Sequence, residues 1–130
     1  MWLAKAHEDL QAGELILAGS MPSFGAVSFH AQQAAEKALK ALLIKAQIEF
    51  GRTHNLGELL RLAEPTAPGV SQQLGDAAAL TPHAVDTRYP TEGPPVSREE
   101  ASRHIDVARK VLEWVTAILK PYLDAGRPGP

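Results

Sequence analysis

The chain predicts an all-α fold, an up-and-down bundle of four to five helices, two of them long. Three observations carry this. Apolar residues recur at a spacing near 3.6 in four or five stretches, and no run alternates with period two for long enough to make a strand. The Pro/Gly-rich interior segments are short enough to be connections between packed helices. With 130 residues, 45% of them hydrophobic, the chain fits one domain that buries roughly two-thirds of its unfolded surface.

The first helix is predicted from about Trp2 to Ala18. Leu3, Ala6, Leu10, Leu15 and Leu17 are among its apolar positions, Gly13 weakens its middle and Gly19 is a stop. The second starts near Pro22-Ser23 and runs to about Glu49, with Val27, Ala31, Ala34, Ala35, Ala38, Leu39, Leu42 and Ala46 as the inward stripe. At some 27 residues and 1.5 Å per residue it spans about 40 Å. Asn55 caps a short helix through Leu59, Leu60 and Leu62, with Glu58 three positions on, and the helix stops before Pro65. After the Pro65–Gly69 turn, Val70 to Leu80 reads as another modest helix, terminated by Pro82. A loop from about His83 to Val96 follows. Ser97-Arg-Glu-Glu100 is a capping box, and Ala101, Ile105, Ala108, Val111, Leu112, Val115, Ile118, Leu119 and Tyr122 mark the last long helix. The bundle is thus assigned to residues 1–123, and residues 124–130 to a disordered tail. The alanine-rich stripe of the second helix allows close approach of a neighbour, either within the chain or in a second copy.

Composition narrows the function classes. Without a single Cys the chain has no thiolate zinc site, disulfide or cysteine nucleophile, and it suits a reducing compartment, so a cytoplasmic location is expected. No apolar run approaches the ~20 residues of a membrane span and the first residues lack a signal-peptide plan, so no membrane partner is expected. A net charge of -2 confines any nucleic-acid contact to a local patch. No Ser/His/acid order resembles a hydrolase, no Gly-rich loop follows a strand, and the five histidines are spread too widely for a zinc pattern; no metal or cofactor is expected.

Four segments resemble the HEPN domains. Trp2, Ala6 and Asp9 are similar to the opening helix of that family, and Gln33, Ala34, Ala35, Glu36, Lys37, Ala38, Leu39, Lys40 and Ala41 to its long helix. His54, Leu56, Leu59 and Leu60 resemble the start of its short helix, and Arg88, Tyr89 and Pro90 its Arg-Tyr-Pro loop. The resemblance spans roughly Trp2 to Tyr122. It implies a four- or five-helix bundle, usually a homodimer, often encoded beside a small nucleotidyltransferase. Such a protein binds a nucleotide or forms a toxin-antitoxin pair with that partner.

On that reading Lys37 and Lys40, three apart on one helix face, join His54 and Arg88 in holding a phosphate, and Tyr89 stacks on a base or contacts a sugar. The plain alternatives stay open. Lys37 and Lys40 are a solvated face paired with Glu36 and neighbouring acids, His54 is a capping or packing residue, and the Arg88-Tyr89-Pro90 loop is pinned to the bundle by Arg88 on a carboxylate such as Glu36.

The resemblance also admits an enzyme, a metal-independent ribonuclease toxin. Toxin-type HEPN domains carry Arg, four to six residues, then His at the start of the last long helix, and the pair from two subunits cleaves RNA across a dimer cleft. Arg98 and His104, five residues apart, meet that spacing. Six steps of about 100° set them on different sides of a helix, although Arg98 lies in the first turn and can fold back. The family motif favours a small polar residue after the Arg, and Glu99 stands there instead. A third reading is a purely structural interaction protein.

Overall fold

The computed structural model describes residues 2–20, 23–84 and 95–125. Five α-helices are present among them: α1 (Trp2–Ala18), α2 (Phe24–Lys45), α3 (Leu56–Ala63), α4 (Val70–Gln73) and α5 (Arg98–Ala125), with a 3-10 segment, Gly75–His83, between α4 and α5. Residues 85–94, and with them Arg88, Tyr89 and Pro90, lie outside the described residues, as do residues 126–130.

α2 is the spine, packing against α1, α3, α5 and the 3-10 segment. Val27, Ala31, Ala34, Ala35, Ala38, Leu39 and Leu42 of the predicted stripe are all buried; Ala46 lies past the helix and is half-buried. From α5, Ala101, Ile105, Ala108, Val111, Leu112, Val115 and Leu119 enter the same core, with Ile118 at its edge. Leu15 of α1 is the exception, 74% exposed.

α1 runs antiparallel to α2, since Asp9 reaches His30 and Lys37 while Trp2 reaches Lys40. Gly13 allows the close crossing. A Cβ there would stand 2.8 Å from Ile105 Cδ1 and 3.4 Å from His30 Cβ, so the residue that weakens the helix locally is the one that lets α1 sit down on α2 and α5. α2 and α5 run parallel, because Arg98 lies over Phe24 and His104 meets Ser28.

Three element boundaries differ from the sequence reading. α2 ends at Lys45, not near Glu49: Gln47 adopts φ 59, its N–H bonds to the Ile44 carbonyl, and the Ile48 N–H bonds to that of Leu43. This is a Schellman termination in which a glutamine takes the left-handed position usually held by glycine. The helix expected from Val70 to Leu80 is α-helical only to Gln73, and Pro82 does not end it but lies inside the 3-10 segment that follows, whose backbone dihedrals accommodate the fixed φ of proline. α5 continues to Ala125, two residues beyond the predicted end of the bundle. The caps match their signals: Asn55 Oδ1 accepts from the Glu58 N–H at 3.1 Å, and Ser97 Oγ from the Glu100 N–H at 3.1 Å.

Candidate functional site

Two polar clusters interrupt the apolar core, and both are built on α2. The first lies where α1, α2 and the start of α3 meet. Glu36 is 3% exposed and Lys40 6%, and the four-residue step on one helix face sets Lys40 Nζ 3.1 Å from Glu36 Oε2. Glu36 Oε1 accepts from Gln32 Nε2 at 2.9 Å and from His54 Nδ1 at 2.7 Å. Gln32 Oε1 in turn accepts from Gln33 Nε2 at 2.7 Å. The Lys40 ammonium also sits 5.7 Å from the Trp2 ring and 5.5 Å from the Phe50 ring, a cation–π enclosure.

Burial alone would raise the Glu36 carboxyl. The hydrogen bonds from Gln32, His54 and Lys40 and the charge of Lys40 outweigh burial and hold it below the ordinary carboxylate range. An ionised carboxylate only accepts, so Nδ1 of His54 carries the proton of that bond. In the neutral imidazole this leaves Nε2 with the lone pair. The His54 side chain is 62% exposed while its carboxylate partner is 4% exposed. A buried anion therefore orients an accessible imidazole.

Lys37 and Lys40 do not share one role. Lys37 Nζ lies 2.5 Å from Asp9 Oδ2 on α1, and Asp9 Oδ1 lies 3.0 Å from His30 Nδ1. Lys37 stays about one-quarter exposed at the rim, and Lys40 is enclosed beneath. Trp2 with Lys40, Asp9 with Lys37 and Glu36 with His54 are each a contact between separate segments of the sequence.

The second cluster lies where α2 and α5 begin and the 3-10 segment ends. His104 Nδ1 is 2.7 Å from Ser28 Oγ, which is fully buried. The His83 ring lies 4.6 Å from that of His104, centroid to centroid, tilted by 48°. The exposed Arg98 guanidinium lies 5.0 Å from the Phe24 ring centroid, one helical turn before Ser28. Arg98 and His104 thus face the first two turns of α2 together, despite their angular separation around α5. Burial lowers the His83 pKa, against an opposing pull from Glu100. Burial lowers that of His104 too, with the charges of His83 and Arg103 adding to it and Glu100 opposing. Both imidazoles are held neutral at pH 7.

His83 carries no signal in the sequence, where it reads as the first residue of a loop. Ser28 and Gln32 also give none, being polar residues on an otherwise apolar stripe. Outside these clusters, a groove of about 440 Å³ lies between α1 and α5, lined by Leu10, Leu112, Thr116 and Ala117 among others. The Thr116 hydroxyl there is buried with no hydrogen-bond partner among the described residues. No described helix is long and apolar enough to cross a membrane.

Comparison with known proteins places this geometry. The family model of the HEPN domain matches residues 1–118. The chain is similar to the crystal structure of TT1696 from Thermus thermophilus, with 32% identity over 91% of this chain and 95% of that one and a TM-score of 0.75. It is similar also to ST0689, an archaeal HEPN homologue, with 31% identity over 89% and 93% of the two chains and a TM-score of 0.70. No curated protein matches. The segments that meet at Glu36, from the Trp of α1 to the His before α3, all fall inside the matched region, and the chain belongs to the HEPN domain family.

Proposed function

We propose that this HEPN domain is a nucleotide-binding or nucleotidyltransferase-associated module whose ligand contact centres on His54. The observation that carries the reading is the pairing of an exposed imidazole with a buried carboxylate, Glu36, at 2.7 Å. A ring so oriented, in its cationic form, donates through Nε2 to a phosphate oxygen, and Lys37 at the rim adds charge. Lys40 contributes indirectly, by balancing Glu36. Arg88 and Tyr89, outside the described residues, are the loop residues assigned to the same ligand by resemblance. The homodimer, the nucleotidyltransferase partner and a toxin-antitoxin pairing belong to this reading, with the exposed Leu15 and the α1–α5 groove as surfaces for such contacts.

The test is calorimetric titration of the purified chain with a panel of nucleotides. Wild type is expected to bind, and His54→Ala to bind about tenfold more weakly, the loss of one hydrogen bond to a charged group, in a protein that circular dichroism shows to be folded. Equal affinity in the two proteins, or no binding by either, refutes the reading.

One observation favours the ribonuclease as a second reading. Arg98 and His104 converge on α2, and the imidazole is held neutral, the form a general base needs. RNA incubated with wild type is then cut, and with His104→Ala stays intact. Intact RNA in both tubes removes this reading.

A further inference from the structure

His54 is held at two points by α2 although its side chain is 62% exposed. Gln32 Nε2 donates to the His54 backbone carbonyl at 3.4 Å, and it donates also to Glu36 Oε1, the atom that accepts the His54 Nδ1–H at 2.7 Å. Gln32 and Glu36 are both buried. Nδ1 faces these anchors, so Nε2 points away from them, on the exposed side of the ring. Glu36 is ionised, with Lys40 Nζ 3.1 Å away, and a carboxylate only accepts. The tautomer follows: in the neutral ring Nδ1 keeps the proton and Nε2 presents its lone pair. The cap of α3 is Asn55, not His54. A histidine kept for packing buries its ring; here the support is buried and the ring is not.

We propose that His54 Nε2 is a phosphoryl acceptor, taking the γ-phosphoryl group of a nucleoside triphosphate bound at this site to form a phosphohistidine. The step rests on the nucleotide reading above and adds a covalent outcome to it. The Nε2 lone pair attacks the γ-phosphorus, the N–P bond forms, and the bond from that phosphorus to the β–γ bridging oxygen breaks. Nucleoside diphosphate leaves with the electron pair. The neutral ring is the reacting form, and it gains positive charge as its lone pair is shared. Glu36, on the Nδ1–H, sets a fixed negative charge against that gain. The Nδ1 proton stays on the ring throughout. Glu36 is thus a positioning residue, and Lys40 keeps it charged.

The full chain is incubated with magnesium and each of the γ-labelled ribonucleoside triphosphates. Wild type is expected to take up label that is stable in base and released in acid, as a phosphoramidate bond is. His54→Ala is expected to lose the label, whereas His7→Ala, at an exposed imidazole on α1, keeps it. The double variant Glu36→Gln with Lys40→Met, which leaves no charge stranded, is expected to label about tenfold or more slowly, with circular dichroism checking that it is folded. Nitrogen NMR shifts of the neutral His54 ring are expected to show the proton on Nδ1; a proton on Nε2 overturns the proposal. Calorimetric binding without label in wild type overturns it and leaves the nucleotide reading standing. Neither binding nor label removes both. Label retained in folded His54→Ala, or an unchanged rate in the folded double variant, also overturns the proposal.

Discussion

Glu36→Ala is expected to lower the unfolding free energy by about 3–5 kcal/mol, because it leaves the Lys40 ammonium buried without its counter-charge. Gln32, fully buried, loses an acceptor at the same time. For a chain of this size about 4 °C of melting temperature accompanies each kcal/mol, so a fall of about 12–20 °C is expected in a thermal melt. Adding Lys40→Met to Glu36→Ala is expected to restore most of the loss, since an apolar side chain of similar length removes the stranded charge. Equal melting temperatures for the single and double variants show that the loss comes from something other than the unpaired ammonium. A pH series gives a second check. The folded pKa of Glu36 is depressed, so its contribution is present above the ordinary carboxylate value and is lost as pH falls through the lower folded value. In Glu36→Ala that part of the acid sensitivity is absent.

Leu39→Ala is the second large effect expected. Leu39 is fully buried in the C-terminal half of α2, in the element that touches α1, α3, α5 and the 3-10 segment. Truncation removes three carbons and leaves a cavity that the surrounding core closes only in part, for a loss of about 2–5 kcal/mol and a melting-temperature drop of about 8–20 °C. Leu39→Met, which nearly conserves volume, is expected to cost less than about 1.5 kcal/mol. A similar loss in both variants argues against the cavity as the cause. Unlike Glu36→Ala, Leu39→Ala is expected to keep the acid sensitivity that Glu36 contributes.

The long helices are legible in the sequence because each buries one stripe, and a stripe has a period. Val27 through Leu42 and Ala101 through Leu119 can be read off as core positions for that reason. The end of α2 is not legible, because glycine is the expected sign of a left-handed terminus and Gln47 takes that conformation here. Pro82 reads as a stop only on the premise of an α-helix, which a 3-10 segment does not share.

The site is harder to read. Lys40 and Glu36 read as a charged surface pair, and they are indeed paired, but α1, Phe50 and the chain around His54 enclose them. Charge pattern along one helix carries no information about which faces other segments will cover. The Ser28–His104 bond joins residues 76 apart, and His83 stands 21 positions before His104. Neither spacing matches a local motif, so only the packing of three elements reveals them.

Ala31, Ala34, Ala35 and Ala38, all fully buried, line the spine through its central turns. Alanine has no side-chain torsion to freeze, so this stretch becomes ordered with almost no loss of rotamer entropy. The same economy leaves no side-chain torsion to absorb added volume. A larger residue at any of these four fully buried positions adds volume to a packed interior, at a cost of off-rotamer side chains and backbone shifts. Such a shift would move Glu36, Lys37 and Lys40 together with α2. At these positions, then, a change of volume would disturb polar contacts in which the alanines take no direct part.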